Sequence, residues 1–177
     1  RLARARGRPE GAGVRPSSLA CTVSAQVRNG PGIRTVMQRL AAWGDLIFRD
    51  HGFFRTFYLN CHALPGGLYR SAQPSPNHIR WLHRTYGIRT IVNLRGASDT
   101  GRYALEAETC RDLGIELINH FGIRSRGAPD PVVVEATRQL FDTITYPALI
   151  HCKSGADRVG FASALYRIFR CGDSVET

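Results

Sequence analysis

In "ALIHCKSGADRVG" (148–160), Cys152 closes a short apolar run, His151 stands directly before it, Gly155 follows three residues later and Arg158 six residues later. These are residue types that can handle a tetrahedral oxyanion. A short loop joining a strand end to a helix N-terminus turns successive backbone N–H groups inward and adds the positive end of the helix dipole, so the loop becomes an anion nest. Lys153, Ser154, Gly155 and Ala156 are the residues between Cys152 and the helix start whose backbone would line it. Arg158 supplies a planar fork for two phosphoryl oxygens, held most tightly as charge builds in the transition state. A thiol in such a field favours the thiolate, its nucleophilic form. Gly155 and Gly160 let backbone come close to the ligand or to the packed helix without a Cβ in the way. The loop is therefore predicted to hold a phosphate beside a Cys152 thiolate.

Cysteine with arginine six residues on is weak evidence by itself here, because Lys153 is the only lysine among 24 basic residues and arginine is everywhere. His151 and Gly155 in their places, together with the strand–loop–helix setting, make the pattern specific. Plainer readings stand beside it. Cys152 can be an inert buried thiol, Arg158 an ion-pair partner, and His151 a strand-closing residue that satisfies backbone groups. Asp157 can brace the loop by accepting backbone N–H groups. Asp130, directly before Pro131, is what helix capping alone would select. Lys153, Arg124 and Arg126 can be solvated charge.

The elements that must hold this loop follow from the spacing of apolar residues and of helix stops. Val36, Met37, Leu40, Ala41, Leu46 and Ile47 recur near helical spacing and predict a helix to about Phe48, packed on the domain from outside. The aromatic stretch that follows reads as a connection. "GLYRSAQ" predicts a strand, and Ser75 then Pro76 open a helix that runs to Tyr86 and stops at Gly87. "IRTIVNL" (88–94) and "IELINHF" (115–121) read as strands on either side of a helix over 103–113 closed by Gly114. A further helix from Pro131 to about Ile144, capped by Asp130, leads to the strand "YPALI" (146–150), and an apolar helix follows Arg158 up to Gly172. Helices alternating with short apolar strands predict an α/β domain: a central, mostly parallel, twisted sheet flanked by helices, with the phosphate-binding loop between the last strand and a core helix. Asp173 and Glu176, three apart, resemble a capping box that opens another helix, so the C-terminus is expected to be truncated.

Composition narrows the function class. A net charge of +10 suggests nucleic acid at first, yet residues 1–36 hold seven Arg against Glu10 alone, so six of the ten charges sit there. The predicted organisation is a disordered basic tail over 1–35, a helix and connection over 36–61, and the domain over 62–177. A nucleic-acid partner is not expected. No apolar run approaches the roughly 18 residues of a spanning helix, and no secretory pattern opens the chain. Cys21, Cys61, Cys110, Cys152 and Cys171 are odd in number and contain no Cys-x-x-Cys pair, so neither a disulfide framework nor a zinc site is indicated. Reduced thiols and a cytoplasmic setting are expected.

"HCKSGADR" resembles the His-Cys-x5-Arg loop of the protein tyrosine phosphatase superfamily, and "LYRSAQPSPNHIRWLHRTYGIRTIVNLRG" resembles the N-terminal half of its compact bacterial dual-specificity-type members. The resemblance spans about 62–172. It implies that Cys152 forms a cysteinyl-phosphate, that Arg158 binds the phosphoryl oxygens, and that His151 orients the loop and helps keep the thiol ionised. Water then hydrolyses the intermediate, with no metal or other cofactor. Asp157 resembles the aspartate of "Cys-x-x-Gly-x-Asp-Arg" loops and is the favoured general acid, whereas Asp130 lies near where other members carry the acid on a mobile loop. One departure stands out: most of the superfamily carries serine or threonine directly after the arginine, and here the residue is Val159. The implied activity is hydrolysis of phosphotyrosine, extending to phosphoserine and phosphothreonine, on a phosphorylated protein or a phospholipid. The competing classes are a phosphoinositide phosphatase, a phosphate-binding pseudophosphatase with little turnover, and a rhodanese-like sulfurtransferase. His151 and Arg158 favour phosphate over persulfide chemistry.

Overall fold

The structure, a computed structural model, describes residues 35–45 and 59–174. Of the expected tail over 1–35 and the helix and connection over 36–61, residues 1–34 and 46–58 lie outside the described residues, as does Glu176. Five strands form one sheet: β1 (His62–Leu64), β2 (Leu68–Ser71), β3 (Thr90–Asn93), β4 (Glu116–Asn119) and β5 (Ala148–His151). Among the described residues, five α-helices accompany them: α1 (Val36–Gly44), α2 (Pro76–Tyr86), α3 (Gly101–Leu113), α4 (Pro131–Thr143) and α5 (Asp157–Tyr166).

The strand order is β1-β2-β5-β3-β4, with β2, β5, β3 and β4 parallel and β1 antiparallel to β2. The α/β class and the mostly parallel sheet expected from the sequence are what the chain adopts. Every residue of β3 and β5 is buried, because helices cover both faces, and this is why both strands read as short runs with little alternation. One face places Leu68, Val92, Ala148 and Ile150 against Phe141 of α4 and Val159, Ala162 and Leu165 of α5. The opposite face places Ile91 and Leu149 against Ile79 and Leu82 of α2 and Cys110 of α3. Successive side chains of a strand point to opposite faces. Along β5, Ala148, Ile150 and then Cys152 therefore face α4 and α5, while Leu149 and His151 face α2 and α3.

Local chemistry fixes the helix ends. The Ser75 hydroxyl accepts from the His78 backbone N–H while His78 Nδ1 accepts from Ser75 N–H, a capping box with histidine in place of the usual acid or amide. Asp130 Oδ1 accepts from Val132 N–H at 2.9 Å and caps α4. Caps of this kind contribute about 1 kcal/mol each. Gly87 (φ 67°) and Gly114 (φ 67°) close α2 and α3 in the left-handed conformation that glycine adopts freely.

Several boundaries differ from expectation. β1 was expected to be part of the connection; it is a three-residue edge strand that the chain enters through Asn60 at φ 50°. The last helix starts two residues earlier than predicted, at Asp157, and widens into a π-turn over Arg167–Cys171 before Gly172. Asp173 is tied back to that helix, accepting from Arg167 Nε at 2.6 Å. α1 packs on α3 from outside: a Cβ on Gly101 would lie 2.4 Å from Ala42 Cα, and Arg39 pairs with Glu108 at 2.7 Å. Among the described residues no helix is long and apolar enough to cross a membrane.

Candidate active site

Cys152 leaves the C-terminal end of β5, and the chain then turns through Lys153–Ala156 into the first turn of α5. Neighbouring elements hold the outside of this loop. Gln73 N–H donates to the Lys153 carbonyl at 3.2 Å, the Asn60 side chain to those of Ser154 (3.3 Å) and Gly155 (3.1 Å), and Arg70 Nη2 also to Gly155 O (2.9 Å). A trans peptide points its C=O and the following N–H in opposite directions. Three outward carbonyls thus turn the N–H groups of Ser154, Gly155 and Ala156 to the inner side of the loop, where an anion would meet them. Gly155 is required here, since its φ is 73° and a Cβ would sit 2.7 Å from Ala72 N and 2.9 Å from Ser71 C.

The inner side opens into a cavity of about 300 Å³ lined by Cys152, Lys153, Ser154, Asp157 and Arg158. Cys152 is 3% exposed, at the floor of that opening. Arg158 is half-buried, and its Nε is shielded from solvent and donates to no group among the described residues. Such a donor is costly to leave unmet, and a phosphoryl oxygen is a strong acceptor for it. Burial pushes the half-buried Cys61 thiol up, and it pushes the buried Cys110 thiol well up, with the Glu106 carboxylate adding to it. Those thiols stay neutral and unreactive at ordinary pH. Among the described residues no group of three or more His, Cys, Asp or Glu side chains is placed to hold a metal ion.

The structure distributes the expected site residues unevenly. Cys152, Lys153, Ser154, Asp157 and Arg158 meet at the cavity, Gly155 is buried in the loop wall, and Ala156 is the exposed residue from which α5 starts. His151, expected among the substrate-binding residues, is fully buried on the opposite face of the sheet, with Nε2 2.6 Å from Glu106 Oε1. Strand alternation points its side chain to the face opposite that of Cys152. Asp130 is exposed, does not line the cavity, and uses its carboxylate to cap α4.

Three lining residues were missed: Arg95, Arg102 and Ser125. Arg95 lies just past β3, the parallel neighbour of β5, so both strands deliver their C-terminal ends to the same side. In open α/β sheets that side carries the ligand. This rule, applied to "NLRG", was the available signal. Arg124 and Arg126 had been singled out, and the residue between them is the one that lines the cavity. Arg95, Arg102, Lys153 and Arg158 thus line the cavity together with one acid, Asp157.

Residues 64–177 match the family described as PTP-NADK, "DSP-PTPase phosphatase fused to NAD+ Kinase". The chain belongs to this family. It is similar to "Inositol diphosphatase DSP4" of Arabidopsis thaliana, 32% identical over 107 residues that cover 58% of this chain and 52% of that protein. It is 28% identical over 153 residues to "Dual specificity protein phosphatase TpbA" of Pseudomonas aeruginosa, covering 85% of this chain and 62% of the relative. The chain thus spans between about half and just under two thirds of these curated relatives. The crystal structure of P. aeruginosa TpbA superposes with a TM-score of 0.51 at 26% identity, over 66% of this chain and 67% of that one. The core catalytic domain of the PP-IP phosphatase SIW14 from S. cerevisiae shares the fold, with a TM-score of 0.51 at 18% identity over 67% of this chain and 78% of that one.

Proposed function

We propose that the chain is a cysteine-dependent phosphate monoester hydrolase working through a cysteinyl-phosphate on Cys152, with the catalytic domain over 62–177. One observation carries the reading: Arg158 Nε, buried and donating to no group among the described residues, lies in a cavity whose floor is Cys152. In this mechanism the Cys152 thiolate attacks phosphorus while Arg158 and the inward N–H groups of Ser154, Gly155 and Ala156 hold the non-bridging oxygens. The bond from phosphorus to the leaving oxygen breaks, and Asp157 gives that oxygen its proton. A water then attacks phosphorus, Asp157 takes the water's proton, the S–P bond breaks, and thiolate and phosphate are released. Asp157 is preferred to Asp130 as the acid because it lines the cavity and Asp130 does not. The nucleophile must remain a reduced thiol, which fits a reducing, cytoplasmic setting.

The substrate class follows the relatives: phosphotyrosine in proteins, extending to phosphoserine and phosphothreonine, since TpbA is a dual specificity phosphatase and is also solved in complex with pTyr. The four cations around the cavity favour a second reading, a phosphoinositide or another inositol phosphate, in line with the inositol diphosphatase relative. Turnover of p-nitrophenyl phosphate that vanadate inhibits and EDTA leaves intact tests the chemistry. Cys152→Ser is expected to abolish turnover while still binding a phosphorylated ligand, and full activity in that variant would sink the mechanism. Tight oxyanion binding by the native chain without turnover would instead make it a phosphate-binding module.

A further inference from the structure

Behind the loop lies a buried polar chain that the reaction above does not use. Glu106 of α3 is 1% exposed, and its Oε1 lies 2.6 Å from Nε2 of the fully buried His151. Both atoms are shielded from solvent, and neither makes a well-formed hydrogen bond. An ionised Glu106 can only accept, so this contact calls for a proton on His151 Nε2, while His151 Nδ1 lies 3.4 Å from the Cys152 carbonyl oxygen. Glu106 Oε2 accepts from Gln73 Nε2 at 3.1 Å and from Asn93 Nδ2 at 3.4 Å. Gln73 Oε1 in turn accepts from Nη1 of the cavity-lining Arg95 at 3.1 Å, while Gln73 N–H holds the Lys153 carbonyl. The His151 carbonyl accepts from Leu94 N–H at 3.0 Å, and Asn93 Oδ1 accepts from Arg95 N–H at 2.8 Å.

A buried carboxylate paired with a buried histidine adds little net stability, because desolvation offsets much of the attraction, and apolar residues of similar size would fold as well. What the arrangement does provide is geometry. One acid is joined on one side to the residue beside the nucleophile and, through one glutamine, to both the loop backbone and an outer arginine. Resting on the phosphatase reading above, we propose that Glu106 is a positioning residue: it fixes the tautomer and orientation of His151 and, through Gln73, the place of Arg95 relative to Cys152. Loop and outer cation then stay in register when the phosphoryl group arrives.

The test uses the full chain. In the native protein, nitrogen-15 NMR of the histidine side chains should show His151 with a proton on Nε2 that exchanges slowly with solvent. Finding that nitrogen unprotonated would overturn the proposal without any variant. Glu106→Gln keeps the shape but must turn its NH2 either toward His151 or toward the Gln73 and Asn93 donors, so one side of the chain is lost. It is expected to lower kcat on p-nitrophenyl phosphate about 10- to 100-fold, the scale of a misplaced reacting group, with a shifted His151 signal. Gln73→Ala cuts only the arm to Arg95 and the side-chain support of Glu106, so it should raise KM, and weaken vanadate binding, by a larger factor than it lowers kcat. A folded Glu106→Gln protein with kcat within twofold of native and an unchanged His151 signal would refute it. If Glu106→Gln does not fold, the native NMR signal and the Gln73→Ala split decide. Absence of turnover in the native chain would count against the phosphatase reading instead, and the vanadate affinities and the His151 signal would still decide the role of Glu106.

Discussion

Val159 is fully buried in the same apolar cluster as Cys152 and offers no hydrogen-bond donor where the superfamily usually has a hydroxyl. Ser163, one turn on, commits its hydroxyl proton to the Val159 carbonyl at 2.7 Å. In the mechanism proposed above, a sulfur without that donor is a poorer leaving group from the cysteinyl-phosphate, and the second chemical step is expected to be the slower one. A hydrogen bond to a charged group is worth about 1.5 to 3 kcal/mol, or about 10- to 150-fold in rate if expressed wholly in that step. Rapid-quench kinetics should therefore show a phosphoenzyme burst in the native chain and a faster steady state in Val159→Thr, which matches valine in shape. No burst, together with unchanged turnover in Val159→Thr, would show that another group already assists the sulfur. The two aspartates separate in the same assay. Asp157→Asn should lose about 10²- to 10⁴-fold on phosphotyrosine and less on an activated aryl phosphate, because protonation matters most for a poor leaving group. Asp130→Asn should leave kcat alone and cost at most a cap, about 1 kcal/mol or a few degrees in Tm. The reverse pattern would return the acid role to Asp130.

At the scale of elements, the site is a contact between the loop after β5 and the chain leaving β2. Gly155→Ala forces a side chain into φ 73° with its Cβ 2.7 Å from Ala72 N, so either the loop or the end of β2 must shift. The expected outcome is loss of vanadate binding and of turnover together, with a lower Tm. Normal vanadate affinity in the folded variant would mean the loop has room that its contacts deny. This dependence on packing also explains what was legible in the sequence. The loop, the caps at Ser75 and Asp130, and the stops at Gly87 and Gly114 are written in neighbouring residues, so they could be read locally. Arg95 lies 57 residues before Cys152 and joins it only because β3 and β5 are parallel neighbours, which one strand's pattern does not encode. The pairing of His151 with Glu106 of α3 has a related origin. Alternation says that it opposes Cys152, but which helices cover each face is a property of the topology. β1 escaped notice because three residues on a sheet edge, held by pairing with β2, carry too little pattern of their own.

On the scale of the whole molecule, the question is what the positive charge is for. Six of the net ten positive charges fall in residues 1–36, and the cavity itself is lined by Arg95, Arg102, Lys153 and Arg158 with one acid, Asp157. A single phosphoryl group needs Arg158 and the loop N–H groups; Arg95, Arg102 and Lys153 line the same cavity, so further charge on a substrate would lie beside them. Like-signed charges around a concave opening draw in polyanions, and salt screens this attraction over a length of about 10 Å at 0.1 M. If the substrate carries several phosphates, kcat/KM for an inositol polyphosphate should fall with added salt much more steeply than kcat/KM for p-nitrophenyl phosphate, mainly through KM. Arg95→Ala and Arg102→Ala should flatten the steep curve toward the shallow one. Equal salt slopes for the two substrates in the native chain would show that the outer cations do not meet the substrate, and phosphotyrosine in a peptide would then be the better account of what the cavity receives.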